Sequence, residues 1–302
     1  MSIQVTALSE AAERPRRIAI GTFDGVHVGH RQVIRGADTV LTFEPHPLSV
    51  VRPDAAPKLI MPFELKRDVI EGLGVRELVV IPFDDEFRSR SAEGFRDEIL
   101  GERLGAIEVA VGENFRFGKG AKGDPEMLSE CFETRIEPLF EIGGEIVSST
   151  RIRNLVASGE VRAAMRCLGA PFLFDGTVVS GDQRGRTLGY PTANLIPQPG
   201  LAVPGHGVYA AFANGHPAAV SIGVRPTFET GRELLVEAYL IDRDEDLYGK
   251  RLRLAFLERL RGEQRFESAE SLVEQMAADV TAARDLCASF QPPSTRPDGA
   301  SA

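Results

Sequence analysis

The sequence predicts a two-domain protein, with an α/β domain built on a parallel sheet followed by a smaller domain of antiparallel strands. Its 302 residues correspond to about two domains at roughly 150 residues each. Short apolar runs alternate with helix-like stretches over the first half of the chain. Near residue 170 this alternation gives way to shorter runs punctuated by Gly and Pro, which is typical of antiparallel strands.

Composition excludes several classes of protein. With 35 Lys and Arg against 44 Asp and Glu, the net charge of −9 is the opposite of a nucleic-acid binder's basic footprint. No apolar run is long enough for a membrane span, and the N-terminus lacks the apolar stretch of a secretory signal. The three scattered cysteines, Cys131, Cys167 and Cys287, predict neither a disulfide framework nor a zinc site. We therefore expect a cytoplasmic protein with no nucleic-acid or membrane partner.

The first domain, residues 1–168, is predicted to contain parallel strands joined by helices. The strands are expected at 17–21, 39–43, 77–81 and 107–111, and the helices at about 28–35, 64–72, 92–103, 149–158 and 161–168. Near-continuous apolar runs are typical of parallel strands that are buried on both faces. Ligands of such open sheets bind beyond the carboxyl ends of the strands.

The second domain, residues 169–290, is predicted to be a small antiparallel barrel or sandwich. Its strands are expected at 173–180, 206–213, 217–223, 234–240 and 251–258. An amphipathic helix over about 268–288 follows, because its apolar residues recur at helical spacing. Residues 291–302 are expected to form a disordered tail.

A motif running from Gly21 to His30, GTFDGVHVGH, directly follows the first strand. Its glycines allow the backbone to approach a ligand closely. Because His27 and His30 are three residues apart, they face one side of the predicted helix start, where free N–H groups also favour phosphate. An isolated HxxH is more often a pair of surface histidines. The position after a buried strand favours a functional pair that stabilises a phosphate gaining charge.

Later stretches are expected to complete this site. His46 closes the second strand, where it is either a ligand contact or a loop residue without a role, and Arg116 belongs to a basic cluster after another strand. Ser149 opens a helix whose first turn contains Arg151 and Arg153. Two arginines there oppose the helix dipole, and a bound polyphosphate would remove this conflict.

These motifs resemble a known family. HVGH with SSTRIR is similar to the HxGH nucleotidyltransferase superfamily, and with TFEPHP and GENFRFGKG it resembles the FMN adenylyltransferase half of bacterial FAD synthetases. The resemblance implies a Rossmann-like fold and adenylyl transfer from ATP to FMN, in which His27 and His30 stabilise charge on the triphosphate. It also implies ATP- or flavin-binding roles for Gly21, Phe23, Asp24, Gly25, Gly29, His46, Asn114, Arg116, Ser149, Thr150 and Arg153. Because Trp is absent, any stacking on the flavin ring must come from Phe, Tyr or apolar residues.

The most specific motif of the second half runs from Gly176 to Asn194. Its glycines permit a loop whose N–H groups can wrap phosphates. Thr192 and Asn194 offer two hard oxygen ligands at strand spacing and on one face, which suits Mg²⁺ bound together with ATP. The alternative is a turn followed by the polar face of a strand.

Glu237 lies in the apolar run LLVEAYL, where alternation places it on one face with Leu235 and Tyr239. A carboxylate on such a strand can act as a general base that accepts a hydroxyl proton. It can equally face solvent on an edge strand. Both interpretations stay open from spacing alone.

These stretches also resemble a family. GDQRGRTLGYPTANL, GVYAAF, SIGVRPTFE and VEAYLIDRDEDLYGK are similar, in this order, to riboflavin kinase. The resemblance implies a small β-barrel, phosphorylation of riboflavin to FMN by ATP, and Mg²⁺ bound with ATP at Thr192 and Asn194. It implies that Glu237 is the catalytic base. The nucleotide-binding loop is implied at Gly181, Gly185, Arg186 and Gly189.

One departure from the first family keeps alternatives open. Only eleven residues separate His30 from Thr42, where the family generally has a longer helix and loop. The alternatives are a riboflavin kinase with an impaired adenylyltransferase domain and a non-catalytic flavin-binding regulator. A regulator has no need of both motif sets, and a cytidylyltransferase of the HxGH type would not explain the second half. The sequence leaves the oligomeric state unknown.

Overall fold

The computed structural model, which describes residues 2–180, 189–225, 233–243 and 245–290, gives the apolar runs of the first half as strands of one sheet. The six strands are β1 (Gln4–Ala7), β2 (Arg16–Ile20), β3 (Thr39–Glu44), β4 (Glu77–Pro82), β5 (Ala106–Gly112) and β6 (Glu133–Glu137). Their order is β1-β4-β3-β2-β5-β6, and every neighbouring pair is parallel. The strand order therefore reverses between β2 and β5, the switch point at which such sheets bind ligands.

Short helices connect these strands. They are α1 (Val28–Ile34), α2 (Pro47–Val51), α3 (Phe63–Gly72), α4 (Asp85–Arg88), α5 (Ala92–Gly94, continued by a π-helix over Phe95–Arg103) and α6 (Pro125–Ser129). A hairpin of β7 (Glu141–Ile142) and β8 (Glu145–Ile146) follows the sheet. The three helices predicted between strands are confirmed to within two residues at each end, and fully buried Leu41, Val79 and Leu100 share one core cluster.

The second half forms a closed antiparallel barrel, so of the two predicted architectures the barrel is confirmed. Two helices precede it, α7 (Ser149–Ser158) and α8 (Val161–Leu168). Its strands are β9 (Phe172–Val179), β10 (Ala193–Ile196), β11 (Gly207–Ala213), β12 (His216–Arg225), β13 (Glu233–Leu240) and β14 (Arg251–Arg261), and α9 (Ala269–Ser289) ends the described chain. The strand order is β10-β13-β12-β11-β14-β9, closed by pairing of β9 with β10. Arg261 fixes α9 on the barrel through an ion pair of 2.8 Å with Asp279.

The chain divides into two units, the first ending at Ser149 and the second beginning at Thr150. The predicted boundary near 168 coincides with the end of α8, and it stays a prediction. None of the helices in the described ranges is long and apolar enough to cross a membrane. The predicted loop residues Gly181, Gly185 and Arg186 and the predicted tail at 291–302 lie outside the described residues.

Candidate active sites

The first unit contains a cavity of about 1090 Å³ at the carboxyl ends of its strands, called here the first cavity. It opens beside β2 and β5, where the order of the parallel strands reverses. The following predicted site residues line it: Gly21, Phe23, His27, Gly29, His30, Asn114, Arg116 and Ser149. Motifs that are up to about 130 residues apart in the chain thus meet at one site, as the open-sheet rule predicts.

The two histidines of the first cavity form a stacked pair. Their ring centroids are 3.5 Å apart with 17° between the ring planes. Nδ1 of His27 accepts a hydrogen bond of 3.2 Å from the backbone N–H of His30. Since that nitrogen is an acceptor, the proton of a neutral His27 ring lies on Nε2, which is thereby assigned as a donor.

Both imidazoles are uncharged at neutral pH. Burial and, to a smaller extent, the charge of Arg31 together lower the pKa of His27 from 6.5 to about 4. Burial also lowers the pKa of His30 well below its usual value, with added effects from His27 and from Lys66. Lys66 is itself buried and bonds to Glu44 at 2.7 Å. An anion that entered this cavity would offset these effects, so the pair is suited to donate hydrogen bonds to phosphate and to take up a proton.

Asp24 stabilises the turn between β2 and α1 and does not line the first cavity. Its buried carboxylate accepts a hydrogen bond of 2.9 Å from the backbone N–H of Ile60. Its carbonyl oxygen accepts one of 2.9 Å from the Ser149 hydroxyl. The neighbouring Phe23 and Val26 have positive φ angles of 49° and 39°, which non-glycine residues adopt only when their surroundings hold them. The structure thus gives Asp24 contacts that position the turn and Ser149.

Aromatic residues that sequence reasoning missed line the first cavity as a connected cluster, called here the phenylalanine wall. Its members are Phe43, Phe83, Phe87, Phe95, Phe115 and Phe117. Phe115 and Phe117 stack with centroids 5.6 Å apart and 22° between their planes. A sequence signal existed, because the chain has 17 Phe and no Trp, and Phe43 and Phe83 stand near strand ends. Such a wall is suited to a planar conjugated ring system.

Of the remaining predicted residues of this site, Arg116 lines the first cavity and His46, Gly25, Thr150 and Arg153 do not. Nδ1 of His46 accepts a hydrogen bond of 3.2 Å from the N–H of Leu48 and so caps α2. Arg116 is exposed and donates a bond of 2.7 Å to the Phe115 carbonyl. Thr150 and Arg153 follow Ser149 in the first turn of α7 and belong to the second unit. Gly25 supplies a left-handed turn with φ of 86°.

The second unit contains a smaller cavity of about 420 Å³, called here the second cavity. Thr192 and Asn194 line it, together with loop residues that include Glu245, Asp246 and Tyr248. Asn194 is 7% exposed, and its amide nitrogen donates a bond of 3.4 Å to the Thr192 carbonyl. A hydroxyl and an amide oxygen are hard donors that fit Mg²⁺ when it shares its shell with phosphate and water.

The barrel register brings Glu237 to this pair. Asn194 on β10 lies directly opposite Glu237 on β13. Since Val236 and Ala238 are fully buried, Glu237 points to the other face of the strand, together with Asn194. β13 is paired on both sides, by β10 and by β12, so Glu237 is not on a sheet edge. Glu237 and Asn194 thus share one face of the barrel wall, although Glu237 is not among the residues that line the second cavity. The role of Glu237 as a base stays a prediction.

Of the glycines in the predicted nucleotide-binding loop, only Gly189 lies among the described residues. Gly189 has a φ of 87° and stands three residues before Thr192. Over the ranges that the structure describes, His, Cys, Asp and Glu side chains form no group of three or more able to hold a metal ion.

Comparison with known proteins finds a matching family for each half of the chain. The FAD synthetase family matches residues 9–151, and the riboflavin kinase family matches residues 168–287. A bifunctional riboflavin kinase/FMN adenylyltransferase of Escherichia coli K12 is 35% identical over 92% of this chain and 95% of its own length. The protein of the same name from Bacillus subtilis is 36% identical over 87% of this chain and 89% of its own.

A solved structure has the same fold along nearly the whole chain. It comes from Streptococcus pneumoniae and is described as a macrolide-efflux protein. It is 30% identical, with a TM-score of 0.85, and the match covers 94% of this chain and 99% of that one.

Proposed function

Because the chain belongs to the family of bifunctional riboflavin kinase/FMN adenylyltransferases, we propose that it catalyses both reactions, one in each unit. The second unit transfers the γ-phosphoryl group of ATP to riboflavin and gives FMN and ADP. The first unit transfers the adenylyl group of a second ATP to FMN and gives FAD and pyrophosphate. The observation that carries this proposal is that each unit retains a pair of the predicted residues in contact or in register, His27 with His30 in one and Asn194 with Glu237 in the other.

The kinase site must deprotonate an alcohol. In this proposal Glu237 accepts the proton of the riboflavin 5′-hydroxyl as its oxygen attacks the γ-phosphorus. Thr192 and Asn194 hold the magnesium-bound nucleotide. Mg²⁺, when bound, neutralises charge on the phosphates, and the rest of the catalysis is positioning.

The adenylyltransferase site needs no base, because the attacking phosphate of FMN is already an anion. It attacks the α-phosphorus of ATP, and pyrophosphate leaves. His27 and His30 stabilise the charge that develops on the triphosphate, because their N–H groups can donate to it and because it favours their protonation. Ser149 assists at the phosphates, and the phenylalanine wall receives the flavin ring.

The substrates in this proposal are therefore riboflavin, FMN and ATP. The net negative charge of the chain disfavours a nucleic-acid partner. The phosphates of ATP and FMN instead bind to local groups such as the imidazole pair. The scattered cysteines favour a reducing compartment, so we place the enzyme in the cytoplasm.

Product analysis tests the proposal directly. The purified protein is incubated with riboflavin, Mg²⁺ and ATP, and the flavins are separated by chromatography over time. FMN is expected first and FAD afterwards, and chelation of the metal is expected to stop the first step. FMN that accumulates without FAD would show a kinase alone. Unchanged riboflavin, together with no conversion of supplied FMN to FAD, would leave only a flavin-binding role.

A further inference from the structure

The helix that carries His30 is unusually dependent on its ends. α1 has seven residues and is the only helix in the described connection between the parallel strands β2 and β3. The first four N–H groups and last four carbonyl groups of any α-helix lack partners within the helix. In a helix of seven residues more than half of the backbone polar groups are therefore terminal. What holds the two ends decides where His30 lies.

The N-terminal end is held by the histidine pair itself. His27 is the cap residue, and its Nδ1 accepts the N–H of His30. The first turn therefore supports itself through a residue that the proposed reaction uses. Any tilt of α1 would disturb both imidazoles together.

The C-terminal end is held by Arg135, which comes from β6 about a hundred residues later. Its guanidinium donates to three carbonyls in the last turn and cap: Gln32 at 3.0 Å, Val33 at 2.9 Å and Arg35 at 2.6 Å. A planar, multiply donating cation is well matched to the carbonyls and negative dipole end of a helix.

Acidic residues fix the guanidinium in turn. Arg135 bonds to Glu137 on the same strand, and its Nε lies 3.8 Å from Glu108 on β5. Glu137 lines the first cavity, and its register partner on β5 is Gly112, another lining residue. Arg135 therefore connects the far end of α1 to the cavity wall.

We propose that Arg135 is a positioning residue for adenylyl transfer, which fixes the His27–His30 pair over the first cavity by capping the C-terminal end of α1. The inference rests on the proposed function of this cavity. Arg135 touches neither the substrate nor the reacting atoms in this role. Its effect is geometric, since a displacement of about 1 Å at a catalytic group can reduce the rate about 10²-fold.

The test is Arg135→Met, which keeps the aliphatic stem and removes every donor. We expect kcat for FMN adenylylation to fall about 10- to 100-fold. Riboflavin phosphorylation by the same preparation should be unchanged, which controls for protein quality. The matched control is Arg17→Met. Arg17 also forms an ion pair with Glu108, at 3.3 Å, but its side chain is exposed, and such surface ion pairs contribute little to stability. Arg135→Lys should recover part of the loss, since an ammonium can still donate to some of these carbonyls.

A second measurement separates positioning from general stability. The chain has five histidines, so labelled imidazole resonances can be followed one by one. His27 and His30 are stacked, and Phe23 lies edge-on to His30 at 5.3 Å, so ring currents make both resonances sensitive to small displacements. Arg135→Met should shift these two resonances and leave those of His206 and His216 in place. A residue that only stabilises the fold would lower the Tm without moving them in the folded protein.

Two results would overturn the inference. One is a folded Arg135→Met protein with wild-type imidazole resonances and the wild-type rate of FAD formation. The other is recovery of the wild-type rate in the double variant Arg135→Met/Glu137→Gln, which would assign the effect to neutralising Glu137. Failure of the proposed function is a different observation, namely a wild-type protein that forms no FAD at all.

Discussion

The two cavities differ in the kind of groups that their walls provide. The first has about 1090 Å³, a wall of phenylalanines and two uncharged imidazoles. The second has about 420 Å³, neutral oxygen donors at Thr192 and Asn194, and the carboxylates of Glu245 and Asp246. The difference follows the nucleophile of each proposed reaction. Both substrates carry the flavin ring, but a phosphate nucleophile needs stabilisation of the charge that develops on the triphosphate, whereas an alcohol needs a base and a metal-bound nucleotide.

The two sites are also assembled differently. In the parallel sheet, the first cavity collects loops from the ends of several strands, so its geometry depends on contacts between distant segments. In the barrel, strand register alone sets Asn194 opposite Glu237. The first site should therefore respond to substitutions far from the chemistry, as proposed for Arg135, and the second should respond mainly to its own side chains.

The largest expected effect is that of Glu237→Gln on the second site. Removing a general base typically lowers a rate by about 10²- to 10⁴-fold, so riboflavin phosphorylation should fall by that amount. Conversion of supplied FMN to FAD should be unchanged, because the first site does not use this carboxylate. The measurement is the initial rate of each half-reaction. Glu258→Gln is the matched control, since that carboxylate lies on the same barrel and pairs with Arg162 at 2.9 Å.

Loss of FAD formation from supplied FMN in Glu237→Gln would contradict the separation of the two sites. Full riboflavin phosphorylation by this variant would remove Glu237 from the role of base.

The next effect is the converse one, His30→Asn in the first site. Removing one preorganised donor to a developing charge typically costs about 10²- to 10³-fold, so kcat for FMN adenylylation should fall by that amount. Riboflavin phosphorylation should continue at the wild-type rate and FMN should accumulate. His206→Asn is the control, since His206 belongs to the barrel, where it lies 3.3 Å from Glu263. Equal losses in both half-reactions would mean that the variant has damaged the fold as a whole.

The central strands of the parallel sheet could be predicted from the sequence, and its two edge strands could not. β2, β3, β4 and β5 were predicted because strands buried on both faces read as apolar runs. The edge strands β1 and β6 were missed because their sequences, QVTA and ETRIE, are largely polar and have one free edge. Their absence from the prediction hid Arg135, which has meaning only once β6 lies beside α1.

The candidate sites show the same division. His27, His30, Thr192 and Asn194 are predicted from the sequence because each lies in a compact motif with a chemical reason for its spacing. The phenylalanine wall was missed because its members are dispersed between Phe43 and Phe117 and converge only in three dimensions. Asp24 shows that a position inside a motif does not by itself place a side chain in the cavity. Its carboxylate accepts a hydrogen bond from the backbone of Ile60 instead.

The smallest expected effect concerns pH and distinguishes the two units thermodynamically. The pKa of His27 is about 4 in the folded protein and 6.5 without burial, so the unfolded chain binds the proton more readily between these values. This contribution to stability is fully present above pH 6.5 and is lost as the pH falls toward 4. Between pH 6.5 and 5.5 the loss from this residue alone is about 1 kcal/mol. His27 lies in the first unit, so this effect belongs to that unit.

Thermal unfolding followed between pH 7.5 and 4.5 measures this effect, with exchange of the α1 amides as the local probe of the first unit. In His27→Asn the asparagine can still cap the helix through its side-chain oxygen, but it no longer titrates. The pH dependence of unfolding of the first unit should therefore be shallower than in the wild type, whatever the change in Tm at pH 7.5. An equal slope in the two proteins would mean that the buried imidazole is not the group that destabilises the first unit in acid, and the contrast between its neutral pair and the carboxylate site of the barrel would lose its electrostatic basis.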